Sequence, residues 1–310
     1  MESISQQLQK IMAGRREETQ RLRQEVLSDP EISHFLQYHQ AELTPEIIDR
    51  GMSKLYEFYH EKQLAANNQT TVAPGYSPQL TISNRQIDVT YVPTAKLQAR
   101  QAAEALRKRV TLVNMPKFIR QADFDHFYTD EAHQTASRQQ AFNEALRFVS
   151  SYHPGQFRKG LYLYGSFGVG KTYLLGAIAN SLAEQGISST MLHFPSFAVS
   201  MKAAIRDNST AERLDAVKEA PILMIDDIGA DAMSAWIRDD ILAVILEYRM
   251  QQELPTFFSS NFSMDQLEAE HLAIDNQGNE EPLKAKRIME RIRFLSTETA
   301  MMGDNLRNGN

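Results

Sequence analysis

The N-terminal part of the chain carries apolar residues at the spacing of amphipathic helices. Two start signals mark helix beginnings: Ser28-Asp29-Pro30, with a proline suited to a first turn, and Thr44-Pro45-Glu46, with Thr44 as N-cap. Further on, alternating stretches at 80–82 and 87–92 flank Asn84-Arg85 and predict a β-hairpin. The pattern predicts a small, mainly helical domain over residues 1–95. It holds no catalytic constellation, so a binding role is the better interpretation.

The next stretch, residues 96–114, predicts a basic helical linker that includes Arg107-Lys108-Arg109. Such a charge run is more often a solvated helix face than a DNA contact. From residue 115 to residue 310, short apolar runs alternate with amphipathic stretches. Strands are predicted at 160–164, 189–194, 221–227, 254–261 and 294–302, and helices at 137–151, 197–205, 234–250 and 284–293. This alternation is typical of an α/β domain.

One stretch organises that second domain and has the spacing G-x-x-x-x-G-K-[ST]. A buried strand is predicted before it and a helix after it, which is the context that a phosphate-binding loop requires. Glycines let backbone N–H groups point at phosphate oxygens, the lysine reaches the β- and γ-phosphates, and the final hydroxyl can bind Mg²⁺. A glycine turn with a chance Lys-Thr is the disfavoured alternative. The predicted nucleotide-binding residues are Gly165, Ser166, Phe167, Gly168, Val169, Gly170, Lys171 and Thr172.

A second signal is an apolar run that ends in two acids, Asp226 and Asp227. An acid at the carboxyl end of a strand beside a phosphate-binding loop is where Mg²⁺ is held. We therefore predict that Asp226 holds Mg²⁺ together with Thr172, and that Asp227 orients or deprotonates the attacking water. A strand end capped by a turn is the alternative. Asn261 is the last residue of the next predicted strand. This position suits a residue that senses the γ-phosphate, although the signal alone is weak.

The composition narrows the classes of protein. With 310 residues and 42% hydrophobic residues, the chain can form two domains or one large one. Its net charge of -6 argues against wholesale coating of nucleic acid but permits a local basic groove. The absence of cysteine excludes disulfides and cysteine metal sites. No apolar run approaches the ~18 residues of a membrane helix, and no signal peptide is recognised. We expect a soluble cytoplasmic protein with no membrane partner.

Taken in order, the phosphate-binding loop, residues 222–227, Asn261, the helical pair Arg287 and Arg291, and Arg307 resemble the AAA+ ATPases. Within that class the chain is similar to the bacterial helicase loaders of the DnaC/DnaI type and their IstB-like relatives. The resemblance implies a P-loop core with a parallel sheet flanked by helices and no helical lid. It also implies that Arg291 acts as an arginine finger on a neighbouring subunit's ATP and that Arg307 is a sensor-2 arginine. A solvated face is the usual explanation of paired helical arginines.

The same resemblance places single-stranded DNA near the helix at 197–205, with Phe197 and Lys202 as candidate contacts. Core packing of Phe197 is an equal alternative. Loaders of this type often carry a cysteine zinc site in the N-terminal domain, but residues 67–78 contain no cysteine, so no zinc is expected. The residues that follow Arg291 are too few for the lid domain of larger AAA+ proteins.

The function that the resemblance implies is ATP-dependent loading of the replicative DNA helicase onto single-stranded DNA during replication initiation or restart. Expected partners are the hexameric helicase, single-stranded DNA, other primosome proteins and further copies of this chain. ATP and Mg²⁺ are the expected cofactors, and hydrolysis is expected to be slow and partner-stimulated. Two alternatives stay open: a transposition helper ATPase that lacks a helicase-binding domain, and an ATP-gated adaptor with negligible hydrolysis.

Overall fold

The computed structural model describes residues 18–128, 135–231 and 233–306. The chain divides into two compact units, residues 1–103 and residues 104–310. In the described ranges, none of the helices combines the length and the apolar character needed to cross a lipid bilayer.

The first unit is a small set of helices that packs on a hairpin. Its helices are α1 (residues 18–27), α2 (Pro30–Tyr38), α3 (Pro45–Arg50) and α4 (Met52–Ala66), and its strands are β1 (Tyr76–Ser83) and β2 (Gln86–Pro93). Asn84 and Arg85 adopt left-handed backbone angles between the antiparallel strands, the geometry of a two-residue hairpin turn. Helices and hairpin share one core, which includes Val26, Ile32, Leu55, Phe58 and Ile87. The predicted hairpin and mainly helical domain are therefore present.

The second unit is built on a sheet of six parallel strands in the order β3-β5-β6-β7-β4-β8. The strands are β3 (Val110–Val113), β4 (Gly160–Tyr164), β5 (Ser189–His193), β6 (Ile222–Asp226), β7 (Thr256–Ser260) and β8 (Ser296–Ala300). Helix α5 (Ala95–Arg109) spans the division between the two units at residue 103. The helices of the second unit are α6 (Ala136–Ser151), α7 (Lys171–Glu184), α8 (Phe194–Ala204), α9 (Thr210–Lys218), α10 (Ala243–Gln251), α11 (Met264–Gln266) and α12 (Pro282–Leu295). Short 3-10 turns at Lys117–Gln121 and Asp125–Tyr128 precede α6.

Two apolar layers cover the two faces of this sheet. Successive residues of β4 point to opposite sides, so Tyr162 joins one core cluster while Leu161 and Leu163 join the other. Near-continuous burial of β4 to β7 explains why these strands read as apolar runs rather than as alternating patterns. Because all neighbouring strands of the sheet run parallel, their carboxyl ends lie along the same side of it.

Three elements differ from the expectation. The last part of the predicted linker forms β3, because Val110–Val113 pairs with β5 at the edge of the sheet. The predicted helix at 234–250 begins as a π-helical stretch, Ile237–Leu242, and α11 continues into another, Leu267–Leu272.

Candidate nucleotide-binding site

A cavity of about 720 Å³ opens at the sheet edge where β4, β6 and β7 end. Small-molecule sites typically enclose roughly 300–1,000 Å³. Its walls include most of the predicted chemistry: Gly168, Gly170, Lys171, Thr172, Asp226, Asp227 and Asn261. The fold thus assembles in one place residues that lie far apart in the sequence.

The loop between β4 and α7 is shaped by close approaches that only glycine permits. A Cβ atom on Gly165 would lie 2.1 Å from the Met301 carbonyl oxygen. One on Gly168 would lie 1.9 Å from Asn305 Oδ1. Gly170 caps the N-terminus of α7 with a left-handed backbone angle of 99°. The loop therefore has the curled backbone at a helix N-terminus that binds phosphate, and it fits a nucleotide.

Lys171 is held inside this loop with only 7% of its surface exposed. Its Nζ donates to the carbonyl oxygens of Gly165 at 2.7 Å and Ser166 at 2.8 Å, and to Asn261 Oδ1 at 2.9 Å. These acceptors keep an ammonium group at the position where a P-loop lysine meets phosphate. They also join the loop to the end of β7.

Thr172 and Asp226 form the pair that was predicted to hold Mg²⁺. The Thr172 hydroxyl lies 3.0 Å from Asp226 Oδ1 and 3.2 Å from Oδ2, and Ser259 Oγ donates to Oδ1 at 2.5 Å. Burial raises the pKa of Asp226, against the opposing effect of the hydrogen bonds from Ser259 and Thr172. Mg²⁺ prefers hard oxygen ligands, so a hydroxyl beside a carboxylate fits this ion.

Asp227 lies in a different setting from its neighbour. Its backbone is left-handed, with φ 61°, and its N–H donates to Ser259 Oγ at 2.9 Å. Asn261 Nδ2 donates to Asp227 Oδ1 at 3.3 Å, so one amide group contacts both the loop lysine and this acid. The carboxylate is partly exposed at the cavity wall.

His193 also lines the cavity, at a position that no sequence motif indicates. Its Nε2 lies 3.7 Å from Asp227 Oδ2, and its Nδ1 lies 2.8 Å from Ser196 Oγ. It ends β5 and stands opposite Asp226 in the strand register. The pairing of β5 with β6 is the signal that reveals this position, and it appears only once the sheet order is known.

The predicted finger lies away from this cavity. Arg291 is on α12, where its Nη1 donates to the Ala243 carbonyl at 3.0 Å and its guanidinium pairs with Glu247 of α10. Together with Arg287 it lines a separate depression between α10 and α12. Arg291 is not among the described residues that line the nucleotide cavity of its own chain. Arg307 lies outside the described residues.

The predicted DNA platform needs a correction. Phe197 is only 2% exposed and packs in the core cluster on one face of the sheet, so its ring offers no face to a base. The helix turns Phe197 inward because the apolar face of α8 covers β5 and β6. Lys202, on the same helix, is exposed.

Comparisons with known proteins match both parts of the chain. A family model described as the primosomal protein DnaI N-terminus matches residues 1–91, and one described as the bacterial DnaA ATPase domain matches residues 120–269. The replicative helicase loader DnaI of Bacillus subtilis (strain 168) is 36% identical over 318 residues, which cover 99% of each chain.

Solved structures of similar proteins point to the same family. A crystal structure of DnaI is 44% identical with a TM-score of 0.56, over 63% of this chain and 98% of that one. A putative primosome component from Streptococcus pyogenes serotype M3 is also 44% identical with a TM-score of 0.54, over 66% of this chain and 98% of that one. With the parallel sheet described above, these neighbours confirm the predicted AAA+ core. The match to the DnaI N-terminus, together with the helices of the first unit, confirms the small, mainly helical N-terminal domain.

Proposed function

Since this chain belongs to the DnaI family of replicative helicase loaders, we propose that it loads a replicative DNA helicase onto single-stranded DNA in an ATP-dependent step. The observation that carries the proposal is the convergence of Lys171, Thr172, Asp226, Asp227 and Asn261 on one cavity. The likeness to a helicase loader extends over 99% of the chain, so it includes the N-terminal domain as well as this cavity.

The reaction proposed is hydrolysis of Mg-ATP, which supplies the phosphoanhydride bond and the divalent cation. Lys171 and the loop amides hold the β- and γ-phosphates, and Thr172 and Asp226 hold the cation. Asp227 orients a water in line with the γ-phosphorus and accepts its proton as the bond from that water to phosphorus forms. The bond to the β-phosphate oxygen then breaks, and ADP and phosphate leave. Asn261 holds the side chains of Asp227 and Lys171 in position through a hydrogen bond to each.

Hydrolysis should be slow in the isolated chain. Its own Arg291 is bound to Ala243 and Glu247 outside the cavity, so additional positive charge for the transition state has to come from a neighbouring copy or from Arg307. We infer that self-association through the AAA+ core, promoted by the helicase and DNA, brings Arg291 of one copy to the nucleotide of the next. Arg307 remains a proposed sensor-2 residue.

The division of labour follows the two units. The first unit has its own core, and we propose that it binds the helicase, with residues 96–109 leading into the ATPase core. Lys202 remains a proposed contact for single-stranded DNA, and other primosome proteins are proposed partners. The match of residues 1–91 to the DnaI N-terminus argues against a transposition helper, which should lack this domain. The acid Asp227 beside the cavity argues against a purely binding adaptor.

The test is a loading assay with the purified full chain, a replicative helicase from the same organism and circular single-stranded DNA. We expect helicase to be retained on the circles only when the chain and Mg-ATP are both present. Equal retention without the chain, or with the chain but without nucleotide, would refute the proposal.

A further inference from the structure

The segment after β8, residues 301–306, crosses the phosphate-binding loop; we call it the strap. The Met301 N–H donates to the Tyr164 carbonyl at 2.7 Å, at the end of β4. The Leu306 N–H donates to the Gly168 carbonyl at 3.0 Å, in the middle of the loop. The strap is thus attached to the loop region at both of its ends.

A second set of contacts ties the strap to the start of α6. Thr135 Oγ1 donates to the Met302 carbonyl at 2.6 Å, and the Met302 N–H donates to Ser137 Oγ at 3.0 Å. Ser166 Oγ of the loop donates to the Gly303 carbonyl at 3.4 Å. The strap therefore runs in a defined path between the loop and the N-terminus of a helix.

This path explains why the loop needs two of its glycines. The Cβ positions of Gly165 and Gly168 are blocked by Met301 and Asn305, both residues of the strap. Asn305 and Leu306 also line the nucleotide cavity, beside Gly168 and Lys171. The strap is consequently part of the cavity wall as well as a neighbour of the loop.

We propose that Asn305 contacts the bound nucleotide, donating a hydrogen bond from its side-chain amide to the sugar–triphosphate part. The inference rests on the proposed function, because it takes a nucleoside triphosphate as the ligand. Gly168 belongs to the loop whose amides face the phosphates, so an amide packed against it is within reach of the same ligand. A carboxamide carries two donors and one acceptor, so Asn305 can contact both the loop and a ligand oxygen. The strap thereby supplies a contact to the nucleotide from the same chain.

The experiment is an equilibrium titration of the full chain with Mg-ATP, using Asn305→Ala and Asn305→Asp. Loss of a hydrogen bond to a charged oxygen should weaken binding about tenfold in Asn305→Ala. Asn305→Asp keeps the size of the side chain but places a negative charge beside the phosphates, so it should weaken binding further. The matched control is Asn276→Asp, an exposed asparagine on a loop that does not line the cavity.

The order of the two variants separates a nucleotide contact from simple packing. If Asn305 only holds the strap in place, the near-isosteric aspartate should bind ATP better than the alanine, and that result would overturn the proposal. Equal ATP affinity of Asn305→Asp and Asn276→Asp would overturn it as well. Lys171→Ala in the same titration tests the ligand itself. If Lys171→Ala loses ATP while Asn305→Asp keeps it, the strap inference fails and the nucleotide site stands.

Discussion

Asp226 and Asp227 are adjacent acids to which the fold gives separate tasks. Asp226 is only 3% exposed and accepts hydrogen bonds from Thr172 and Ser259. At Asp227 the backbone turns into the left-handed region, and its carboxylate meets Asn261 instead. One acid is therefore buried beside a hydroxyl, as the proposed cation ligand should be, while the other is partly exposed at the cavity wall, as the proposed base for water should be.

Asp227→Asn should leave ATP bound but slow its hydrolysis by about 10²-fold or more, because the amide keeps the shape of the side chain and loses its basicity. Equilibrium titration gives the affinity, and phosphate release under saturating ATP gives the rate. The matched variant is Asp226→Asn, which should lose the Mg²⁺ dependence of binding. If Asp226→Asn kept Mg²⁺-dependent binding and Asp227→Asn lost it, the assigned roles of the two acids would be the wrong way round.

The residues of the site differ in how far sequence alone could identify them. Lys171, Thr172 and the glycines belong to a local motif whose spacing carries the chemistry, and Asp226 and Asp227 follow an apolar strand. The place of His193 at the cavity depends on which strand pairs with β6, which no local pattern encodes. For Phe197 the sequence leaves a DNA contact and core packing as equal alternatives, since an aromatic residue at helical spacing looks the same whether its face is covered or open; the structure shows core packing.

At the scale of elements, α2 depends on a single capping side chain. Asp29 accepts hydrogen bonds from the N–H groups of Glu31 at 2.9 Å and Ile32 at 3.3 Å, and it pairs with Lys62 of α4 at 3.0 Å. Burial works to raise its pKa, but the hydrogen bonds from Lys62 and the two backbone N–H groups outweigh it, so the pKa of Asp29 is lowered. The stabilisation is therefore present above the unfolded pKa, about 3.9, and is lost as pH falls through the lower folded value.

Asp29→Ala should lower the free energy of unfolding of the first unit by about 1–2 kcal/mol at neutral pH. The difference in unfolding free energy is measured by chemical denaturation of the full chain, with hydrogen exchange at amides of α2 and α4 as the probe. The difference in unfolding free energy between the wild type and Asp29→Ala should become smaller as the pH falls below about 4. Asn caps helices as well as Asp does, so Asp29→Asn should retain most of the cap. A gap that widens in acid would contradict the assignment.

Helix α12 carries two arginines that make a matched pair for testing the finger. Arg291 contacts α10, whereas Arg293 pairs with Asp265 and Glu268 near α11. Arg291→Ala should bind ATP nearly normally and hydrolyse it about 10³-fold more slowly, because a finger stabilises charge only in the transition state. Arg293→Ala should hydrolyse ATP like the wild type.

The trans action of Arg291 is tested by mixing. Lys171→Ala has an intact finger and an impaired loop, so mixing it with Arg291→Ala should restore part of the ATPase rate at sites that pair the two chains. The rate is measured against mixing ratio with helicase and DNA present. Full activity of Arg291→Ala alone would remove the finger role. Loss without rescue would contradict action in trans and leave Arg291 acting within its own chain or only structural.

The pattern of apolar positions predicted most elements but not their finer form. The hairpin follows from alternation around Asn84-Arg85, and β4 and β6 follow from short apolar runs. The π-helical turn at Ile237–Leu242 depends on tertiary contacts, because Arg238 is buried there among Asp239, Glu281 and the Leu272 carbonyl. Likewise, Val110–Val113 becomes a strand because β5 presents an edge to it, which a linker composition does not reveal.

At the scale of the whole molecule, two separate cores imply two separable activities. The first unit buries its own apolar set, and the nucleotide cavity lies wholly in the second unit. A fragment of residues 1–103 should therefore unfold cooperatively by itself and bind the helicase without nucleotide. A pull-down with this fragment and with residues 104–310 makes the comparison. Helicase binding confined to the second fragment would reverse the proposed division of labour.

The measurement that bears most directly on helicase loading by this nucleotide site compares the full wild-type chain with Lys171→Ala. Both are mixed with helicase, Mg-ATP and circular single-stranded DNA, and the helicase retained on the DNA is counted. Removing a cation that faces the β- and γ-phosphates should weaken ATP binding at least about tenfold and reduce retention accordingly, while complex formation with the helicase in the absence of DNA stays intact. Retention by Lys171→Ala equal to that of the wild type would contradict an ATP-dependent loader.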